Sequence, residues 1–442
     1  MFLCNWENFQ TNVESLSIRI NEGKKSSPSF PVLALIDSLS LQRKTSEIWI
    51  KDKHPINTSL GSIPKYLRRN KIRIGYYSAD FHNHATAYLM AELFELHDKN
   101  NFEIIAFSFG FDKKDEMRQR LSKAFDQFLD VRLKSDKDIA LMSRDLGVDV
   151  AIDLKGFTQD QRVGIFSYRA APIQVNFIGY PGTMSAEYID YIIADPTLIP
   201  IESQKYYSEK VVYLPYSYQA NDRRREIANK AFTKEELGIP KDAFVFCCFN
   251  NNYKITPATF DGWVRILKAV EGSVLWLLED NPTAGINLRK EAQTRGLDPN
   301  RLVFAKRMKL SEHLARHSVA DLFLDTLPCN AHTTASDALW AGLPVLTCIG
   351  ESFASRVAAN LLNAIELPDL VTISQEQYEV AAIELATNPA KLRAIKIKLA
   401  RNRLTTALFD TPRFTKHIEA AYKHMYERYQ ANLPLEHIYI SP

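Results

Sequence analysis

The sequence predicts an α/β protein made of two doubly wound lobes, each around a parallel sheet. Three observations carry that expectation. Short apolar runs alternate with helical stretches of about 10–15 residues, the pattern of βαβ units. The alternation runs through 72–194, stops in a polar stretch at 221–230, and restarts at 244. The chain has 442 residues, well beyond one domain of about 150 residues.

Residues 1–70 read as helix and loop, broken at Ser26-Ser27-Pro28-Ser29-Phe30-Pro31, with a basic, solvated linker at 65–71. A first lobe is expected over 71–230. Its first strand, 72–78, is Ile-Arg-Ile-Gly-Tyr-Tyr-Ser, rich in β-formers. Helix 85–96, strand 102–109, helices 116–125 and 137–146, and strands 148–154, 173–178 and 191–194 follow. A second lobe is expected over 231–411. Strand 244–249 leads to helix 258–270, whose preceding Pro257 suits a first turn. Strand 273–278, helix 284–294, strand 302–305, helix 311–318, strand 322–325, helix 333–341 and strand 344–347 complete the alternation. An amphipathic helix at 412–430 opens a C-terminal segment, 412–442. In such sheets ligands bind outside the carboxyl ends of the strands, so a cleft at those ends is the expected site.

Composition narrows the function. Lys+Arg minus Asp+Glu is 55 − 52 = +3, so no strong field favours nucleic acid or an anionic membrane. No run of about 18 apolar residues predicts a membrane span. The N-terminus, Met1-Phe2-Leu3-Cys4-Asn5-Trp6-Glu7-Asn8, lacks the basic and apolar regions of a signal peptide. Five cysteines without a CxxC argue against a disulfide frame or a zinc site and fit a reducing cytoplasm. His82 and His84, two apart in a polar loop, are weak evidence for a metal. No 34-residue helical repeat occurs.

Four segments hold chemistry-bearing residues at strand ends. In Asp325-Thr326-Leu327-Pro328-Cys329-Asn330-Ala331-His332-Thr333-Thr334-Ala335-Ser336-Asp337, two hydroxyls and an imidazole stand where a helix leaves its first N–H groups unpaired, a natural anion site. Capping by Thr333 and dipole complementation by Asp337 explain part of the run equally well. In Asn250-Asn251-Asn252-Tyr253-Lys254-Ile255, Lys254 can neutralise a phosphate or be a surface lysine. In Ser78-Ala79-Asp80-Phe81-His82-Asn83-His84, Asp80 and His84 can do acid–base chemistry or simply shape a turn. In Gly179-Tyr180-Pro181-Gly182-Thr183 the glycines admit close approach of backbone to a ligand, or form an ordinary tight turn. No Walker A pattern, GxGxxG after the first strand, Gly-x-Ser-x-Gly elbow or Asp-x-Asp pair occurs. These absences weaken NTPase, dinucleotide and hydrolase readings. They favour diphosphate binding by lysine, histidine and a helix N-terminus without a cation.

Taken together, Ser78-x-Asp80-Phe81-x-Asn83-His84, Ala171-Pro172-Ile173-Gln174, Gly179-Tyr180-Pro181-Gly182-Thr183, Tyr253-Lys254-Ile255, Cys329-Asn330-Ala331-His332-Thr333-Thr334 and Gly350-Glu351-Ser352-Phe353-Ala354-Ser355-Arg356-Val357-Ala358 resemble the catalytic region of the O-GlcNAc transferase (SPINDLY-like) family over about residues 71–430. The resemblance implies the GT-B architecture and an inverting, metal-independent glycosyltransferase. Such an enzyme moves N-acetylglucosamine from UDP-GlcNAc to Ser/Thr hydroxyls of proteins. It implies that His332, Thr333 and Thr334 hold the diphosphate, Asp337 the ribose, and Lys254 the leaving group. His313 then lies along the uracil, with Met308 and Leu310 at its edges, and Cys329 and Tyr253 line the acetyl side. Asn251, Gly179 and Pro181 belong to the donor site, and Asp80 and His84 lie beside the reacting centre, either of them a candidate for the acceptor proton.

Three features depart from the family. Asn251 stands where Gln is frequent, residues 31–35 stand where animal members carry a His-Met-Leu run, and the tetratricopeptide array is not seen in this sequence. Another nucleotide sugar such as UDP-glucose or GDP-fucose, a non-protein acceptor, or nucleotide-sugar binding without catalysis are the alternatives.

Overall fold

The structure is a computed structural model that describes residues 2–442. In chain order the strands are β1 (Ile72–Ser78), β2 (Phe102–Ser108), β3 (Gln127–Asp130), β4 (Val150–Asp153), β5 (Ile173–Asn176), β6 (Tyr191–Ala194) and β7 (Lys210–Tyr213). Then come β8 (Val245–Cys248), β9 (Val274–Leu278), β10 (Leu302–Ala305), β11 (Leu322–Leu324), β12 (Val345–Cys348), β13 (Val371–Thr372) and β14 (Ile438–Tyr439). They form two sheets, ordered β14-β7-β6-β5-β4-β1-β2-β3 and β10-β9-β8-β11-β12-β13. Every pairing is parallel. Parallel strands need crossovers that cover both faces, which is why β1, β4, β8 and β9 are buried nearly throughout.

Two compact units result. One comprises residues 15–32, 38–223 and 407–442 and holds the eight-stranded sheet. The other comprises residues 2–14, 33–37 and 224–406 and holds the six-stranded sheet. Residues 2–70 therefore form no separate body; they are divided between the units. The helix Thr411–Gln430 joins the eight-stranded unit for a visible reason. The Tyr76 hydroxyl meets His97 Nε2 at 2.8 Å and the Tyr422 hydroxyl at 3.0 Å, and His97 Nδ1 meets Glu419 at 2.9 Å, all inside that core.

The strand orders fix where a ligand can sit. In the first sheet, successive strands run outward in opposite directions from the β1/β4 neighbours; in the second, from β8/β11. Those two positions are the topological switch points, where the loops at the carboxyl ends diverge and leave a crevice. The loops concerned are 79–84 and 154–163 in one unit, and 249–256 and 325–332 in the other.

The expected alternation is present, with additions. Helices Leu39–Lys53, Val357–Ala364, Gln375–Thr387 and Pro389–Thr405, and strands β3, β7, β13 and β14, were not foreseen from the pattern. Among the described residues no helix is long and apolar enough to cross a membrane.

Candidate active site

Helix starts at the switch points differ in one telling way. Helix Pro257–Ala269 is closed by Thr256, whose side chain accepts from Thr259 N with Pro257 in the first turn. Helix Ala85–Leu96 is closed by His84, whose Nδ1 accepts from Thr86 N. Helix Thr333–Trp340 has His332 at its N-cap with φ −107° and ψ −90°, and no side chain caps it. Its first N–H groups therefore keep their capacity for an anion.

Lys254 lies in the loop after β8 and is buried, with Nζ donating to the Asn330 carbonyl at 2.5 Å. It forms no ion pair among the described residues. Burial works against its charge, but Cys329, Tyr253 and Asp325 outweigh that and hold it above the ordinary lysine value, so it stays an ammonium. Asp325 organises the opposite loop. Its Oδ1 accepts from Thr326 N at 2.7 Å and Ala331 N at 2.6 Å, and its Oδ2 from the Thr347 hydroxyl at 2.7 Å. Burial pushes its pKa up to about 6. Asn250 ties the two loops together, donating to Thr326 Oγ1 at 2.8 Å and accepting from the Thr334 hydroxyl.

His332 is buried enough to be held well below the usual imidazole pKa, with Lys254 adding to the effect. Its Nε2 lies 3.2 Å from the Ala354 carbonyl, which can only accept, so the neutral ring carries its proton on Nε2. His313, likewise kept neutral by burial and by the nearby His317 and Arg316, packs its ring 5.2 Å from Phe249 and accepts from Arg316 at 2.6 Å. Asp337, at the far side of the first helical turn, accepts from Arg225 Nη1 at 2.5 Å, and burial raises its pKa to about 6.

The eight-stranded unit carries the second cluster. Lys155 Nζ donates to Asp80 Oδ2 at 2.6 Å, and both side chains are buried. Lys155 is placed by Asp153, whose Oδ1 accepts from Lys155 N at 2.8 Å and Gly156 N at 3.0 Å. Burial lifts Asp153 to about 6, and its Oδ2 has no hydrogen-bond partner. His84 Nδ1 lies 3.3 Å from Thr86 N and 3.4 Å from Asp80 Oδ2. Burial lowers its pKa, against the pull of Asp80, so the ring is neutral near pH 7. Its two Nδ1 contacts demand opposite tautomers: the amide needs a bare Nδ1, the carboxylate a protonated one.

These features meet a family. Residues 47–232 and 228–418 match glycosyl transferase family 41. The chain belongs to glycosyl transferase family 41. It is 38% identical over 362 residues to the probable UDP-N-acetylglucosamine–peptide N-acetylglucosaminyltransferase SEC of Arabidopsis thaliana, covering 80% of this chain and 37% of the plant protein. To the UDP-N-acetylglucosamine–peptide N-acetylglucosaminyltransferase of Caenorhabditis elegans it is 28% identical over 480 residues, 83% of this chain and 42% of the nematode protein. The chain thus spans about two-fifths of the length of these curated relatives. A solved structure of a point mutant of the Thermobaculum terrenum O-GlcNAc transferase superposes with a TM-score of 0.79 at 26% identity, over 94% of this chain and 81% of that one. The two Rossmann-like units are the GT-B fold that the sequence predicted.

Within this family 41 chain, the structure brings His332, Thr333, Thr334, Lys254 and Cys329 to one switch point. Asn251, Tyr253, Met308, Leu310 and His313 lie on the surrounding loops and helix start of the same unit. Asn251 is exposed and accepts weakly from Arg307 at 3.4 Å, and the Tyr253 ring lies 5.4 Å from that of Phe2, tilted at 53°. Gly179 and Pro181 lie in the loop after β5 of the eight-stranded unit. A Cβ on Gly179 would lie 2.1 Å from the Leu154 carbonyl, so the close approach that demands glycine is to the chain's own β4 loop; Pro181 is buried. The preceding Ile178 has φ +58°, a strained value for a β-branched residue.

Sequence reading missed Asn250, Asp325, Asp153, Lys155 and Arg225. A signal existed for three of them. Asp153-Leu154-Lys155-Gly156 closes an apolar strand with a charged turn, as Asp325 does after β11.

Proposed function

We propose that this chain transfers N-acetylglucosamine from UDP-GlcNAc to Ser/Thr hydroxyls of proteins, with inversion and without a metal. The observation that carries the reading is Lys254. It is a buried cation whose Nζ donates to a backbone carbonyl and which forms no ion pair among the described residues, beside the uncapped start of helix Thr333–Trp340. A group so arranged stabilises an anion, and the names of the relatives point to a UDP-sugar as its source.

In the reaction proposed, the acceptor oxygen forms a bond to the anomeric carbon on the face opposite UDP. The bond from that carbon to the phosphate oxygen breaks, and UDP leaves with the electron pair. Lys254, Thr333 and the helix N–H groups meet the charge that grows on the diphosphate, where fixed donors lower the barrier most. They do so in place of a divalent cation. Asp337, anchored by Arg225, takes the ribose, and the His313 face takes the base, with Met308 and Leu310 beside it. His84 accepts the acceptor proton on Nε2 when Asp80 holds the proton of Nδ1, a division of labour like that of other Asp–His pairs. Five free, buried cysteines support a cytoplasmic setting.

The test is to incubate the purified chain with UDP-GlcNAc, EDTA and a protein acceptor. Intact-mass gain of one N-acetylhexosamine and a β-linkage by NMR are expected. Transfer only after Mn²⁺ is added would refute the metal-free reading. Tight UDP binding without transfer would reduce the chain to a nucleotide-sugar binder, and preference for UDP-glucose or GDP-fucose would change the donor.

A further inference from the structure

The Gly350-Glu351-Ser352-Phe353-Ala354-Ser355 motif has no place in the chemistry above, yet it is wrapped around one carboxylate. Asp37 Oδ2 accepts from Glu351 N at 2.9 Å, and Oδ1 accepts from Ser352 N at 2.9 Å and from the Ser355 hydroxyl at 2.8 Å. Gly350 is required for this. A Cβ there would fall 2.2 Å from Asp37 Oδ2. The loop is closed on itself as well, Gly350 N donating to the Ser355 carbonyl at 3.0 Å. Asp37 reaches it from far along the chain, the partners being 314–318 residues apart. It does so in the short stretch 33–37, which clusters with the six-stranded unit while its flanks do not.

What the loop presents is the carbonyl of Ala354. That oxygen accepts from Asn330 N at 2.9 Å and from His332 Nε2 at 3.2 Å. Asn330 is the residue whose own carbonyl receives Lys254. One backbone oxygen thus sets both the ring orientation of His332 and the peptide on which Lys254 rests.

We propose that Asp37 is a positioning residue for His332, acting through the carbonyl of Ala354. It fixes the loop 350–355, the loop fixes the Ala354 oxygen, and that oxygen selects the Nε2-protonated tautomer of His332. The ring then turns Nδ1, not Nε2, away from the loop. The consequence for UDP rests on the donor-binding reading above; the consequence for the tautomer does not.

The experiment therefore has two arms. In the first, long-range ¹H–¹⁵N spectra of ¹⁵N-histidine-labelled full chain, without ligand, report the His332 tautomer, assigned with His332→Gln. Wild type is expected as the Nε2–H form. Asp37→Ala is expected to shift toward a tautomer mixture, and Asp37→Asn, which keeps one acceptor but faces an amino group to Glu351 N, to lie between. An unchanged His332 spectrum in a folded Asp37→Ala chain overturns the proposal. If Asp37→Ala does not fold, Asp37→Asn and Ser355→Ala, which removes one donor only, take its place. An unchanged His332 spectrum in both of them overturns the proposal equally.

In the second arm, UDP binding is measured by calorimetry in a double-mutant cycle. Asp37→Ala should weaken UDP about tenfold in the wild-type background and less than twofold in His332→Gln, because contacts that act through one residue are not additive. Equal losses in both backgrounds would mean that Asp37 merely stabilises the unit and would overturn the proposal. Absence of UDP binding by the wild type would sink the donor-binding reading while the spectra still decide the role of Asp37.

Discussion

Each of the two switch points holds a buried lysine and a buried aspartate, but the two pairs are wired differently. At β1/β4, Asp153 accepts backbone N–H groups and thereby delivers Lys155, whose charge is cancelled by Asp80 at 2.6 Å. At β8/β11, Asp325 accepts backbone N–H groups in the same manner, but Lys254 rests on a carbonyl at 2.5 Å with no carboxylate bridging it. The same fold solution thus yields a closed ion pair in one unit and, in the other, a lysine that rests on a backbone carbonyl. A buried lysine that is already paired has no electrostatic reason to bind an anion; one that is not paired does.

The largest expected effect separates the two lysines by stability. Lys155→Ala leaves Asp80 buried without its cation, with the neutral His84 as its neighbour, so urea unfolding should show a loss of about 3–5 kcal/mol. Lys254→Ala leaves only a carbonyl without its donor, and about 1–3 kcal/mol should go. Equal losses would mean that Asp325 acts on Lys254 as strongly as Asp80 acts on Lys155. The next effect separates them by rate. Lys254→Ala should lower kcat about 10²–10³-fold with a smaller change in UDP affinity, since its charge opposes one that grows only as the bond to UDP breaks. A kcat near wild type would remove Lys254 from the leaving-group role.

How much of this was legible follows from distance along the chain. The alternation of apolar strands and helices is local, and β1, β2, β4, β8 and β9 were all visible in it. Strand β3, Gln127–Asp130, was not: it is an edge strand whose residues are half-exposed or exposed, so no apolar run marks it. The two-residue strands β13 and β14 are too short for any period. Helix Pro389–Thr405 has its few buried residues scattered among charges, which hides the amphipathic stripe. In the site, His332, Thr333, Thr334 and Lys254 stood out because each belongs to a compact motif. Lys155 and Asp80 are 75 residues apart, Lys254 and Asn330 76, and Asp37 and Glu351 314. Pairings of that kind are set by strand order, which residue spacing does not reveal.

The paired aspartates give a pH test of the same comparison. Burial raises Asp153 and Asp325 alike to about 6. A carboxyl whose native pKa exceeds its unfolded value of about 3.9 binds its proton more tightly when folded. Its stabilising contribution is complete below about pH 3.9 and lost as pH rises through 6. His317, lowered to about 4 by burial, has the opposite sign: its contribution is present above about 6.5 and lost as pH falls through 4. Differences between wild type and variant therefore isolate each aspartate. Asp153→Asn should remove a decline of up to about 3 kcal/mol between pH 4 and 7 in urea midpoints, and Asp325→Asn a similar one. A variant curve parallel to wild type would show that the carboxylate is satisfied as an anion, as the orphaned Oδ2 of Asp153 argues against.

The smallest effect lies at the edge of the open site. Asn251 shares the loop of Lys254 but is exposed, and its side-chain oxygen accepts at 3.4 Å from Arg307, itself paired with Asp280 at 2.6 Å. The exchange for glutamine leaves its backbone carbonyl, which accepts from Lys254 N at 3.0 Å, in place, so stability should alter by no more than about 0.5 kcal/mol. One added methylene lets the amide reach further without disturbing Asn250 or Lys254, which are held by Thr326, Thr334 and Asn330. UDP affinity in Asn251→Gln should therefore change by no more than about twofold, the same energy expressed as a binding ratio. A tenfold tightening measured by calorimetry would mean that the exposed rim of the loop, and not only the buried cation beneath it, holds the ligand. The contrast between a closed pair in one unit and a lone lysine in the other would then be incomplete, because an uncharged side chain would be contributing as much as the lysine's missing partner permits.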